Sequence, residues 1–402
     1  MVYKYFLSII AVVVTLWGTS CSNNKISSID REKLMDFSIG RLEDQLDLFN
    51  IEGRRSTSKT NLKMRDGLFY ISNGNGQKIV RYNSFGDLLF MIYNDETQPP
   101  PLKLHNKTEN ISVTRWASPW PLTDPGCIAV NSTKHIFVED KLPPERHGYD
   151  RAQKALLDSL VLHFDADGSF VEYLGQEGPG GTPFPRIEGI YTSINDEIAV
   201  VCHTSKAWKI FWFSSRGELL YSLEFKSDTL PMPHDQFGLI PSLDSIGISP
   251  DSRKIFLKID YYREILEEST NTISGREADS SYIWSVSSED GSYLSNTLIP
   301  FYEYITTVNN KKVSENLFYS MFGAINRDRV FLYFPVEDGF SILLLSVDNS
   351  GDQKRGIITI EQDELQFCSF DVTSDGILTA LLATNNNVRL VWWRTDKLAR
   401  EL

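Results

Sequence analysis

From about residue 60 onward, apolar residues occur in short runs with polar alternation, and no stretch sustains a helical period. Such runs predict strands, and the turn signals between them recur in two alternating series. The first series is Arg65-Asp66-Gly67, Asn131-Ser132-Thr133-Lys134, Asn195-Asp196-Glu197, Ser249-Pro250-Asp251-Ser252, Asn326-Arg327-Asp328 and Thr373-Ser374-Asp375-Gly376. The second is Asn83-Ser84-Phe85-Gly86, Asp165-Ala166-Asp167-Gly168, Ser214-Ser215-Arg216-Gly217, Ser288-Glu289-Asp290-Gly291, Asp348-Asn349-Ser350-Gly351 and Arg394-Thr395-Asp396-Lys397. Glycine at the last position supplies the left-handed φ that closes a short hairpin. The two series alternate through the chain, and each alternation makes one unit of strands a, b, c and d. The pattern predicts an all-β fold, a six-bladed β-propeller of four-stranded antiparallel blades without long exposed edges.

The units also match one another. Pro185-Arg186-Ile187-Glu188-Gly189-Ile190 aligns with Pro241-Ser242-Leu243-Asp244-Ser245-Ile246, and 245–252 aligns without gaps on 369–376. The last unit ends soon after Val388–Trp393, so its outer strand is expected from the N-terminal side, at Leu46–Ile51. Upstream, Ser28–Phe37 reads as a short helix capped by Ser28 or Asp30. The expected layout is a signal peptide over 1–20, a tether and short helix over 21–45, and the propeller over 46–402.

The signal is read from Lys4, the apolar run Phe6–Trp17, and the small residues Gly18, Thr19 and Ser20 before Cys21. The run falls short of the ~20 apolar residues that a spanning helix needs. A cysteine at that place predicts a bacterial lipoprotein, cleaved before Cys21 and acylated (a palmitate-type chain) on its sulfur. Multiple chains on one residue anchor stably. Cys127, Cys202 and Cys368 each sit in an apolar run and read as buried free thiols.

The segment 174–190, LGQEGPGGTPFPRIEGI, resembles the inter-blade linker of NHL-type propellers, with its spaced glycines, Phe184, Pro185 and Gly189-Ile190. The segments RLEDQLDLF at 41–49, DGLFYISNGNGQKIVRYNSFGDLLFMIYNDE at 66–96, FVEDKLPPERHG at 137–148 and LVWWRTDK at 390–397 are similar to a spirochaetal lipoprotein family. That resemblance implies a lipid-anchored place in the cell envelope, periplasmic or at the outer surface, and implies no activity.

Charge narrows the partners. With 53 acids against 40 bases and a formal net charge of −13, the chain has no electrostatic grip on a nucleic-acid backbone. No metalloprotease, P-loop or nucleophile-elbow motif occurs, and the histidines lack metal-ligand spacing. In a propeller the b–c and d–a connections share one face. The long ones here are 140–158, 260–281, 94–123 and 226–240, and long loops on a rigid scaffold carry binding. On them, Arg115, Trp116, Trp120, Arg146, His147, Tyr149, Tyr261, Tyr262 and Arg263 are the side chains suited to anchoring an interface. Glu188 and Asp244 occupy equivalent strand-a positions and are the candidates for a cation such as Ca²⁺, although Ca²⁺ takes six to eight oxygens. No other cofactor is indicated. The favoured expectation is a non-enzymatic scaffold that binds an envelope protein or small ligand. The alternative is a metal-assisted hydrolase or lyase with Glu188 and Asp244 at the channel mouth.

Overall fold

The computed structural model describes residues 27–50, 56–106, 115–175, 181–234, 238–267, 272–308, 311–348 and 350–402. The expected signal peptide and Cys21 lie outside the described residues. The chain enters through β1 (Ser27–Ile29), β2 (Arg31–Ile39) and β3 (Gln45–Leu46). Blade 1 has β4 (Thr60–Arg65), β5 (Leu68–Asn73), β6 (Lys78–Asn83) and β7 (Leu88–Tyr93), with β8 (His105–Asn106) and β9 (Trp116–Pro119) added outside β7. Blade 2 has β10 (Ile128–Val130) and β11 (Ile136–Lys141). A hairpin of β12 (Gly148–Asp150) and β13 (Ala155–Leu157) follows, then β14 (Ser159–Phe164) and β15 (Phe170–Tyr173).

Blade 3 is β16 (Ile187–Thr192), β17 (Ile198–His203), β18 (Ala207–Phe213) and β19 (Leu219–Lys226). Blade 4 is β20 (Leu239–Ile248), β21 (Lys254–Leu266), β22 (Ile273–Ser287) and β23 (Tyr293–Ile299). A separate ribbon, β24 (Tyr302–Val308) with β25 (Lys311–Leu317), leads to blade 5. Blade 5 is β26 (Ser320–Ile325), β27 (Arg329–Val336), β28 (Gly339–Ser346) and β29 (Gln353–Thr359). Blade 6 takes β30 (Phe367–Val372), β31 (Leu378–Ala383) and β32 (Asn387–Trp393), and the chain ends in the short helix α1 (Asp396–Arg400). The structure is therefore an all-β, six-bladed propeller of antiparallel blades. Five of the expected turn glycines, Gly86, Gly168, Gly217, Gly291 and Gly351, take left-handed φ between 61° and 85°.

Among the described residues six apolar clusters fill the ring, and each lies between two successive blades. Ile79, Phe90, Ile136 and Phe164 join blades 1 and 2, and Phe137, Leu174, Ile198 and Phe213 join blades 2 and 3. Trp212 and Leu257 share the next cluster, then Phe256 with Leu332, then Ile342 with Leu382. The sixth unites Phe69 and Val80 of blade 1 with Leu381 and Leu390 of blade 6, and contains Phe37, Leu46 and Leu48 from the N-terminal segment. Polar contacts repeat the circle. Asp66 meets Lys134, Asp196 accepts from the Ser132 amide (2.8 Å), and Glu197 binds Arg253 (2.6 Å). Asp251 accepts from the Arg327 amide (2.8 Å), the Asn326 amide donates to the Ser374 carbonyl (2.9 Å), and Lys63 binds Asp371 (2.7 Å).

Closure differs from the sequence expectation. The outer strand of blade 6 is β2, antiparallel to β32 from Arg31↔Trp393 to Ser38↔Asn387, and not Leu46–Ile51. Ser28–Phe37, expected as a helix, is extended. Beyond a bulge between Lys33 and Met35, the residues Met35, Phe37 and Ile39 recur every second position toward the apolar junction. A ladder of strand pairs outweighs the weak helical propensity of so short a segment. Leu46 instead pairs in parallel with Ile39 through β3, and the propeller's described structure starts at β1, which adds to blade 5 beside β29.

A buried carboxylate fixes the closing strand. Glu364 is fully enclosed and receives both Arg31 (2.5 and 2.6 Å) and Arg389 (2.5 Å). Burial would raise its pKa, but the two guanidiniums outweigh burial and lower it. Glu364→Gln leaves two cations facing a neutral amide and should cost about 2–4 kcal/mol of unfolding free energy in a urea titration, since one-sided loss of a buried pair is strongly destabilising.

Lys78 clamps the next turn. Its ammonium is wholly buried and donates to the carbonyls of Arg41 (3.3 Å) and Leu42. Burial lowers its pKa from 10.5 to about 8, against the pull of Asp44, Asp47 and Glu43. The unfolded chain holds the proton more tightly, so this penalty is complete below pH 8 and is relieved as pH rises toward 10.5. The stability of wild type relative to Lys78→Met should therefore increase by roughly 2–3 kcal/mol between pH 7 and pH 10. An unchanged difference across that range would refute the buried charge.

Candidate functional site

The b–c and d–a connections are built out unequally, and most of the elaboration belongs to blade 4. Residues 260–281, expected as a loop, continue β21 and β22 into a ribbon paired as far as Leu266↔Ile273. Alternation in these residues satisfies backbone groups across the ribbon, which a loop of this length would leave to water. The second ribbon, β24 with β25, is paired from Tyr302↔Leu317 to Val308↔Lys311. Its base is held by aromatic contacts, Tyr302 on Phe334 (4.1 Å), Phe301 on Phe318 (5.5 Å) and Tyr262 edge-on to Phe318 (5.6 Å). Beyond these bases, Leu266 (52% exposed), Ile273 (58%) and Ile305 (57%) face solvent, with Ile265, Tyr304 and Val313 also exposed. The β12–β13 hairpin of blade 2 adds one more exposed apolar pair, Tyr149 opposite Leu156.

Of the nine expected interface residues, five stand on two projecting segments and four are bound to the ring. Tyr261 is fully buried, donates to the Pro231 carbonyl (2.7 Å) and accepts from the Trp284 indole (2.9 Å), so it is a core residue and not an anchor. Trp116 donates to the Asp167 carbonyl (2.7 Å) and stacks on Phe90, while Trp120 stacks on Phe170 (4.1 Å). Both tie the 94–123 connection to the rim of blades 1 and 2. Arg115 pairs with Asp87 (2.6 Å), and Arg263 with Asp279 (2.5 Å). His147 contacts the Leu142 carbonyl (2.9 Å) and leaves much of its ring exposed, as do the side chains of Arg146 and Tyr149. The structure brings Tyr262 and Arg263 together on one ribbon, and Arg146, His147 and Tyr149 on another loop.

The two carboxylates thought suited to a cation each sit beside a cation of their own chain. Glu188 pairs with Arg186 (2.9 Å), and Asp244 with the buried Lys258 (3.2 Å). Lys258 also binds both oxygens of Asp260 (2.8 Å), whose pKa burial raises despite that lysine. Among the described residues, no three His, Cys, Asp or Glu side chains converge as metal ligands. Glu188 lines an axial cavity of about 370 Å³ with Asn61, Tyr191, Phe370 and the Lys63–Asp371 pair.

A polar cluster at this channel escaped the sequence reading. Lys59 donates to Glu139 (2.7 Å) and to the Ile187 carbonyl (2.7 Å), and lies 3.7 Å from the Cys127 sulfur. Burial opposes the charge on Lys59, yet the carboxylates of Glu139 and Glu188 raise its pKa. Beside it, burial raises the Asp140 carboxyl to about 6 although it accepts amides from Thr123 and Asp124. Burial also pushes the Cys127 and Cys202 thiols upward, which makes them inert packing groups. Cys368 is only half-buried, unlike the expectation. Only the Lys and Glu at 59 and 139 could have signalled this cluster, and eighty positions of sequence separate them.

No family model matches the chain, and no curated protein does. Solved structures similar to it include the propeller domain of the Trilobed protease of Pyrococcus furiosus, at 10% identity and TM-score 0.39, covering 84% of this chain and 96% of that one. The Dos1 propeller matches at 10% identity and TM-score 0.37, over 87% of this chain and 82% of that one. A protein of Bacteroides fragilis, provisionally named as exported, matches at 11% identity and TM-score 0.37, over 94% and 97%.

The contrast between neighbouring side chains is measurable. Tyr261→Phe removes a hydroxyl with two buried partners and should cost about 1–3 kcal/mol in urea unfolding. Arg263→Ala breaks an exposed ion pair and should cost under about 1 kcal/mol. Equal costs would contradict the assignment of Tyr261 to the core.

Proposed function

We propose that this chain is a binding scaffold of a bacterial cell envelope, held at a membrane through lipid on Cys21, that engages an envelope protein or small ligand with its ribbon-bearing face. The observation that carries the reading is the exposure of Leu266, Ile273 and Ile305 on the β21–β22 and β24–β25 ribbons. A free-standing two-stranded ribbon is marginally stable in water, and apolar residues along it gain most when a partner covers them. The exposed Tyr149–Leu156 pair and its neighbours Arg146 and His147 form a second contact area on the same face. Glu188 and Asp371 in the axial cavity are each paired with a cation of the chain, which favours recognition over acid–base chemistry there.

The anchor rests on the sequence features around Cys21, and the NHL-type and spirochaetal resemblances fit an exported propeller. No helix among the described residues is long and apolar enough to cross a membrane. Mass spectrometry of the mature N-terminus should find acylated Cys21, and Cys21→Ala should release the protein from the membrane fraction. An unmodified N-terminus at another position would refute the anchor.

Binding is tested by crosslinking and affinity capture from envelope extracts with the variant Leu266→Ser/Ile273→Ser/Ile305→Ser. Loss of one hot-spot anchor costs about 2 kcal/mol, roughly thirtyfold in affinity, so capture should fall at least that far. Undiminished capture by a folded variant would show that the ribbons are not the binding surface.

A further inference from the structure

We propose that the outer edge of blade 4 is the contact between two copies of this chain, joined strand to strand through β23. An exposed sheet edge offers a row of unpaired amides and carbonyls, and most blade edges here are covered or blunted. β7 is covered by β9 and β8, β29 by β1, and β2 by β3. β15 is short and contains Glu172. β19 contains Glu224 and Lys226, paired with each other, and Gln153 from the blade 2 loop donates to Glu224. β23 has neither a covering strand nor a charge, and its one irregularity is a bulge at Leu294, between the pairs Ser285↔Ser295 and Val286↔Tyr293. It is the last strand of its sheet, and its sequence Tyr-Leu-Ser-Asn-Thr-Leu-Ile contains no charge, proline or glycine.

The side chains of β23 identify the occupant as a second copy. Leu294 (53% exposed), Asn296 and Leu298 (55%) alternate on one face and are all open to solvent. Two identical strands paired antiparallel about a two-fold axis must match residues an even number apart, because opposed residues share a face. Centring the axis on Asn296 pairs the regular run Ser295–Thr297 with itself and brings the bulged Leu294 beside Leu298 of the second copy at each end. Ser295 then faces Thr297, and Asn296 faces itself. Every cross-strand pair is matched in polarity, and no like charges meet. The polarity of Leu-Ser-Asn-Thr-Leu reads the same in both directions, a property that a strand built for a foreign peptide does not need. The product is one continuous sheet running through two propellers.

The test uses the full chain in a detergent matched to the density of the solvent, so that any lipid on Cys21 is retained. Sedimentation should give a protein mass of two chains, and Leu294→Lys/Leu298→Lys should reduce it to one while the thermal transition stays in place. A register-specific measurement accompanies it. Asn296→Cys places two sulfurs on the axis, with Cβ atoms about 5 Å apart, and mild oxidation should give a crosslinked dimer. Leu298→Cys lies four residues, about 13 Å, from its own copy and should not crosslink. A monomeric wild type, a dimer that survives the lysines, or crosslinking of Leu298→Cys equal to that of Asn296→Cys would each overturn the proposal.

Discussion

A ring of blades has one junction where the chain does not run on, and the other junctions can hold their geometry only if that one is closed. Here the closure is β2 on β32, fixed by the enclosed Glu364 between Arg31 and Arg389. The apolar junction beneath it draws Phe37, Leu46 and Leu48 from the N-terminal segment, residues that would otherwise leave blades 1 and 6 each with an uncovered face. Because all six cores lie between blades, none is complete within one blade. Opening the last junction therefore exposes apolar surface on two blades and releases the curvature of the others.

Two features of the chain make the ring legible in advance. Strand alternation and turn glycines are local, so the six units and the left-handed positions at Gly86, Gly168, Gly217, Gly291 and Gly351 can be read without tertiary contacts. Closure is not local. Ser28–Phe37 has the cap and spacing of a short helix, and only pairing with β32, more than 350 residues away, shows the value of Met35 and Phe37 as alternate strand positions. The same limit explains Tyr261. Its composition suits an interface, but its hydroxyl partners come from Pro231 and Trp284, whose proximity depends on blade 4 being formed. Glu188 and Asp244 each sit at a bulge of their strand, and the weight of Arg186 and Lys258 beside them depends on a strand register that is not local.

The ring and its attachments divide the work. The blade interiors are apolar and mutually packed, which gives a rigid platform. The β21–β22 and β24–β25 ribbons and the edge of β23 concentrate exposed apolar side chains in one sector, from Leu266 through Leu298 to Ile305. The Lys59–Glu139 and Lys258–Asp260 pairs bring opposite charges together within the chain at the channel.

The dependence of the whole ring on its N-terminal strand is tested most directly by native-state hydrogen exchange. If β2 closes the ring, the amides of Met35–Ser38 that bond to β32 exchange only through global unfolding, with the same free energy as amides at the centres of β31 and β28. Exchange of the β2 amides through a local opening of much lower free energy, with the rest of the propeller still protected, would contradict it.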